Sequence, residues 1–187
     1  MVKHFLVLCL LLLAGCSAPK VAKVKYQEIF DFSTIQKYSL YKRDDEFNEW
    51  QLISDATRND IEFAIENALD GQGFVYSSLE DSDVVITYHL VSGRVSGLKK
   101  YNHGVNYCSY CLVNATTGSR ADKLAIGPGH IIIDAVNART KRSIWRSGYP
   151  LNIKAKDNSR VAQDKIHHVI ALMLSGLGNP KLPLQKS

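Results

Sequence analysis

The sequence predicts an α+β domain: an antiparallel or mixed β-sheet with two amphipathic helices packed on one face. Three observations carry this. Segments rich in β-branched residues read as strands, above all "DVVITYHLV" at Asp83–Val91 and "HIIIDAV" at His130–Val136. Two segments place apolar residues at helical spacing on one face only. The order is strands, helix, strands, helix, with no internal repeat and no second domain, so both apolar stripes are expected against one sheet face. The chain has 187 residues, 45% apolar and 22% charged, enough to build a packed core.

The elements follow in order. "YQEIFDF" at Tyr26–Phe32 alternates as a first strand, and Ile35–Tyr41 as a short second one. The charged "KRDDEFNEW" reads as a loop. In "TRNDIEFAIENALDGQGF", Ile61, Ala64, Ile65, Ala68 and Leu69 line one helix face, with Arg58, Glu62 and Glu66 off it. Thr57 is the expected cap, and Gly71 and Gly73 the stop. Phe74–Tyr76 opens another strand before Asp83–Val91. From Ser92 to Gly129 no period is sustained, and a long loop or an extended hairpin is expected. His130–Val136 and Arg142–Tyr149 read as a hairpin turned by "NART". The last helix spans Val161–Ser175, with Ala162, Ile166, Val169, Ile170, Met173 and Leu174 on its apolar face. The sheet face away from the helices is expected to be wet or to meet a partner.

The N-terminus addresses the chain. After Lys3 comes the unbroken apolar run Phe5–Leu13, then Ala14, Gly15 and Cys16. A charged start, a short apolar stretch and small residues at a cut site describe a secretory signal. At nine residues the run is far below the length of about 20 that spans a bilayer. Leu13-Ala14-Gly15-Cys16 looks like a bacterial lipobox, which implies cleavage between Gly15 and Cys16 and lipid on the Cys16 thiol. Several acyl chains on one residue anchor durably where one anchors marginally. Ser17, rather than aspartate, after the cysteine resembles lipoproteins sorted to the outer membrane. The expected organisation is a signal peptide over 1–15, a lipidated cysteine and tether over 16–25, one domain over 26–178 and an extended tail over 179–187. Lys20, Lys23 and Lys25 read equally as a plain solvated linker or as attraction to anionic headgroups, about 1 kcal/mol each near the surface.

The formal charge of +5 is scattered, without a stripe of cations and interleaved aromatics, so no nucleic-acid partner is expected.

"YQEIFDFSTIQKYSLY", "SDVVITYHL" and "GHIIIDAVNARTKRSIWRSG" together resemble Gram-negative lipoproteins carrying the domain of unknown function 4136. That family has a Gly-led strand with an Ile-Asp pair, a turn with Thr and a Trp-Arg-Gly strand end. The corresponding residues here are Ile133, Asp134, Thr140, Trp145 and Arg146. Ser147 separates Arg146 from Gly148, a one-residue departure bearing on the local turn or bulge. The resemblance implies a lipid-anchored periplasmic domain and carries no activity with it.

One local constellation invites chemistry: "CSYC" at Cys108 and Cys111. In an oxidising compartment the two can close a small disulfide loop. They can also form a thiol-exchange site, although the flanking sequence lacks a helix start. Zinc would draw on Cys108, Cys111 and histidines such as His103 or His130, but one CxxC is not diagnostic. No metal and no cofactor are therefore assigned. His167 and His168 point about 100° apart on a helix and read as a rim and a solvent-facing residue. Asp134, in an apolar strand, is expected to face solvent or to pair with Arg146 across the hairpin. No catalytic grouping emerges. The expected function is a non-catalytic envelope interaction or maintenance module, anchored through Cys16 in the outer membrane and facing the periplasm. A protein or lipid of the envelope is the expected kind of partner, beside the membrane itself. The alternatives are thiol-redox or zinc-dependent activity at the CxxC, or a lipid- or small-molecule-binding accessory lipoprotein of an envelope transporter.

Overall fold

The computed structural model describes residues 23–26, 30–42, 53–91, 95–107, 126–154 and 159–177. The elements are β1 (Lys23–Tyr26), β2 (Lys37–Leu40), α1 (Asp55–Gln72), β3 (Val75–Tyr76), β4 (Val84–Leu90), α2 (Val95–Gly104), β5 (His130–Asn137), β6 (Ser143–Pro150) and α3 (Ser159–Leu174). The strands form one mixed sheet in the order β1-β6-β5-β4-β2-β3. Each neighbouring pair along β1-β6-β5-β4 is antiparallel, while β2 runs parallel to both β4 and β3.

The first strand falls earlier than its alternation suggests. β1 closes at Tyr26, and Phe32–Thr34 form a 3-10 turn capped by Asp31, whose carboxylate accepts from the Ser33 amide at 3.0 Å. That local bond offers the backbone an alternative to a ladder. The α1 cap is Ser54 rather than Thr57: the Ser54 hydroxyl accepts from the Thr57 amide at 3.2 Å. The helix runs through Gly71 and ends at Gly73, which takes the left-handed conformation at φ 91°.

One sheet face carries Tyr38, Val84, Ile86, Tyr88, Ile131, Ile133, Ala135 and Trp145, and it buries them against the stripes of α1 and α3. Ile61, Ile65 and Leu69 of α1 and Ile166, Ile170, Met173 and Leu174 of α3 fill this core. Polar contacts set the helices in place. Tyr88 donates to Glu62 at 2.8 Å, Gln163 to Asp60 at 3.0 Å, and Gln72 to the Leu174 carbonyl at 3.3 Å. Arg58 does not fall off the stripe as expected but is buried, because it lies three residues before Ile61 on the same face. His167 is half-buried against Phe63 and His168 is exposed, in line with their spacing.

The second face departs from expectation. It is neither wet nor left to a partner. α2, inside the stretch expected to be loop or extended hairpin, lies across it and closes a second core of Val85, Val91, Tyr101, Val105, Ile132 and Val136. The stretch 91–129 leaves and re-enters at one end of the β4–β5 pair, where the Val91 amide donates to the His130 carbonyl at 2.8 Å and the Val91 carbonyl accepts from the Gly129 amide at 2.9 Å. By Val105, α2 has reached the opposite end, where the Ser143 amide donates to the Val105 carbonyl at 2.9 Å.

The β5–β6 hairpin forms where its pattern placed it. Asn137 accepts from the amides of Arg139 and Thr140 at 2.9 Å, which builds the turn. The irregularity expected near Ser147 lies instead at Ile144: Ala135 pairs with Trp145 and Val136 with Ser143, so Ile144 is the extra residue. The bulge sends both Ile144 and Trp145 into the first core.

Candidate functional site

The second face brings together the chemistry that the sequence scatters. Register places Thr87, Asp134 and Arg146 side by side on β4, β5 and β6. Alternation turns all three toward α2, with His89 and Ser143 one step away. Leaving a carboxylate and a guanidinium under a helix is costly unless each is paired and hydrogen-bonded. Here they are. Arg146 Nε donates to both Asp134 oxygens, at 2.8 and 3.1 Å. Tyr101 of α2 donates its hydroxyl to Asp134 Oδ2 at 2.7 Å, and the Ser143 hydroxyl donates to Oδ1. Asp134 is 0% exposed and Arg146 1%.

The expected Asp134–Arg146 pair is thus present, and the solvent-facing alternative for Asp134 is not. The carboxylate belongs to a buried network that fastens α2 to the sheet. Arg146 continues it: Nη1 donates to Asn102 Oδ1 at 2.8 Å, and the guanidinium carbon lies 3.6 Å from the Tyr107 ring centroid. His89 stacks on Tyr101 with ring centroids 4.8 Å apart. Three buried atoms of this cluster, Thr87 Oγ1, His89 Nδ1 and Arg146 Nη2, have no hydrogen-bond partner.

The electrostatics follow the burial. Burial, reinforced by Asp134, drives the Tyr101 hydroxyl well above its ordinary pKa, so it stays a donor. Burial opposes the charge on Arg146, but Asp134 outweighs it and the guanidinium is held charged more firmly than usual. Burial pulls the His89 imidazole down to about 4, helped by Arg146 and partly opposed by Asp134. The histidine is neutral at pH 7.

Beside this network, at the end of α2, opens a concavity of about 520 Å³ lined by Asn102, His103, Asn106, Tyr107, Thr140 and Arg142. Asn106 sits at φ 47° past the helix end, where the Tyr107 amide donates to the Asn102 carbonyl at 2.8 Å. Asn106 Nδ2 also donates to the Lys141 carbonyl at 2.9 Å, tying the helix end to the hairpin turn.

The cysteines and the residues around the cleavage motif, Gly15, Cys16, Cys108 and Cys111, lie outside the described residues. Of the histidines considered for zinc, His103 lines the concavity, whereas His130 Nδ1 is turned onto the Gly127 backbone, 2.9 Å from its carbonyl oxygen and 3.3 Å from its amide nitrogen. Among the described residues, no three histidine, cysteine or acidic side chains gather in a ligating group. The residues that sequence reasoning missed are Tyr101, Asn102, Tyr107 and His89. Leu98, Tyr101 and Val105 do fall at i, i+3 and i+7, a helical signal obscured by Gly97, Gly104 and the polar residues between.

The profile of the family described as "domain of unknown function (DUF4136)" matches residues 22–177. The chain belongs to the DUF4136 family. A crystal structure of a DUF4136 family protein from Bacteroides thetaiotaomicron superimposes with a TM-score of 0.54, over 86% of this chain and 98% of that one, at 11% identity. That likeness extends to the fold alone. A PDZ domain protein from Parabacteroides distasonis aligns at a TM-score of 0.43 and 13% identity, over 87% of this chain and 36% of its own. Among curated proteins none matches the chain. In this DUF4136 domain, the family-like residues divide between the two faces. Ile133 and Trp145 enter the first core, Asp134 and Arg146 form the ion pair under α2, and Thr140 lies on the rim of the concavity.

Proposed function

We propose that this DUF4136 protein is a lipid-anchored outer-membrane lipoprotein that faces the periplasm and works by binding an envelope component rather than by catalysis. The observation that carries the reading is Leu13-Ala14-Gly15-Cys16, followed within seven residues by the first strand of the sheet at Lys23. An extended chain gains at most about 3.6 Å per residue, so Lys23 lies within about 25 Å of the lipidated sulfur. β1 is an edge strand, and the tether therefore holds that edge of the sheet near the bilayer.

The chemistry of the domain favours binding. Among the described residues, the buried acid–base grouping of Asp134 with Arg146, Tyr101 and Ser143 is sealed and committed to holding α2. What reaches solvent beside it is the concavity at the helix end.

Metabolic labelling with a fatty-acid analogue, followed by membrane fractionation, tests the anchor. The wild type should carry label and float with the outer membrane. Cys16→Ser should lose both, and Ser17→Asp should move the labelled protein to the inner membrane. Unlabelled wild-type protein would refute the reading. Crosslinking in intact cells then identifies what the domain contacts.

A further inference from the structure

We propose that the concavity at the end of α2 binds a small acidic saccharide, a sugar bearing a carboxylate or a phosphate. The concavity is a shallow depression open to solvent, and its volume of about 520 Å³ has room for a single sugar ring. No carboxylate lines it among the described residues, while Arg142 and His103 do. Its polar groups are also oriented. Asn102 gives its Oδ1 to Arg146 Nη1, which turns its amide NH₂ away from the guanidinium. Asn106 gives its Nδ2 to the Lys141 carbonyl and keeps Oδ1 as an acceptor. The Thr140 and Tyr107 hydroxyls can both donate and accept. Donors and acceptors of this kind around a cation match a ligand that pairs an anionic group with hydroxyls.

The buried network reinforces the preference for an anion. Asp134 holds the Nε side of Arg146, while Nη1 and the guanidinium face meet Asn102 and Tyr107, two residues of the concavity wall. The pair is a dipole whose positive end is directed at that wall. Nη2, buried and without a partner, leaves that positive end incompletely compensated. Tyr107 is seated on the guanidinium at 3.6 Å, a cation–π contact that favours this placement of the wall.

The site deepens the binding-module reading and rests on it only for the compartment in which ligand is met. Titration calorimetry on the full-length chain in detergent tests it with glucuronate and glucose 6-phosphate as probes. Glucose, inorganic phosphate and glycerol 3-phosphate serve as comparisons. One or both acidic sugars should bind and glucose should not. Arg142→Gln should weaken binding by about tenfold or more, the scale of one charged hydrogen bond. Thr140→Glu, an exposed turn change that leaves the core untouched, should abolish it, and Lys99→Gln on the outer face of α2 should not alter it. Absence of binding by both acidic sugars overturns the site, as does binding indifferent to Thr140→Glu. Inorganic phosphate binding as tightly as the sugar phosphate overturns the saccharide assignment. Tighter binding of glycerol 3-phosphate, the phosphorylated glycerol of a lipid headgroup, also overturns it. A protein that is labelled and anchored yet fails here loses this site and keeps the proposed anchor.

Discussion

Asp134 and His89 sit within one buried cluster and respond to different perturbations. Removing one partner of a buried ion pair leaves an uncompensated charge and costs about 3–5 kcal/mol. Asp134→Asn is therefore expected to lower stability on that scale, read as a shifted urea midpoint followed by tryptophan fluorescence. Replacing both partners, as Asp134→Leu with Arg146→Met, should recover only part of the loss, because the charges leave together but the buried Tyr101 and Ser143 hydroxyls lose their acceptor. A double variant no better than the single one would show that the pair does more than neutralise itself. His89 sets a pH dependence. Its pKa falls to about 4 in the fold, while the unfolded chain restores the ordinary value near 6.5. Between those values the unfolded state binds the extra proton, so stability falls as pH drops from about 6.5 to about 4, by roughly 3 kcal/mol at most. His89→Gln should flatten that portion of the pH–stability curve. A slope unchanged by the substitution would place the titrating group elsewhere.

At the scale of elements, α1 and α2 are secured by different means. α1 has a wide apolar stripe, a serine cap and Gly73 in the left-handed region. A side chain at φ 91° is strained, and Gly73→Ala should cost about 1–2 kcal/mol with the helix otherwise intact. Thermal unfolding followed by circular dichroism measures this, and an unchanged midpoint would contradict the capping role. α2 has only ten residues and a narrower apolar face, and it relies on Tyr101 reaching Asp134. That contrast decided what could be read in advance. The stripe from Ile61 to Leu69 is a local repeat visible in any window of the sequence, and so is the alternation of β4, β5 and β6. Leu98, Tyr101 and Val105 make a weaker repeat, and the helix they form is stabilised by a carboxylate 33 residues from Tyr101. Its stability is a tertiary property.

For the whole molecule, the arrangement separates scaffold from contact surface. α1 and α3 cover one face with an apolar core. α2 covers the other with a core that is half apolar and half ionic, and the proposed ligand site opens at its end. β1 carries the proposed tether at the far edge of the sheet. In the proposed arrangement the lipid positions the domain and the α2 end meets its ligand.

The amino-acid sequence by itself determined the α+β class, the two stripes packed on one face, the β5–β6 hairpin and the family. Each rests on periodicity or on a contiguous motif, and those are local. The tertiary structure alone decided that the second face is covered, that Asp134 is buried, and that Tyr101, Asn102 and Tyr107 converge on Arg146. A carboxylate in a strand can face water or a partner equally well by alternation. Which one it meets depends on whether an element distant in sequence crosses that face, and only the folded chain sets that.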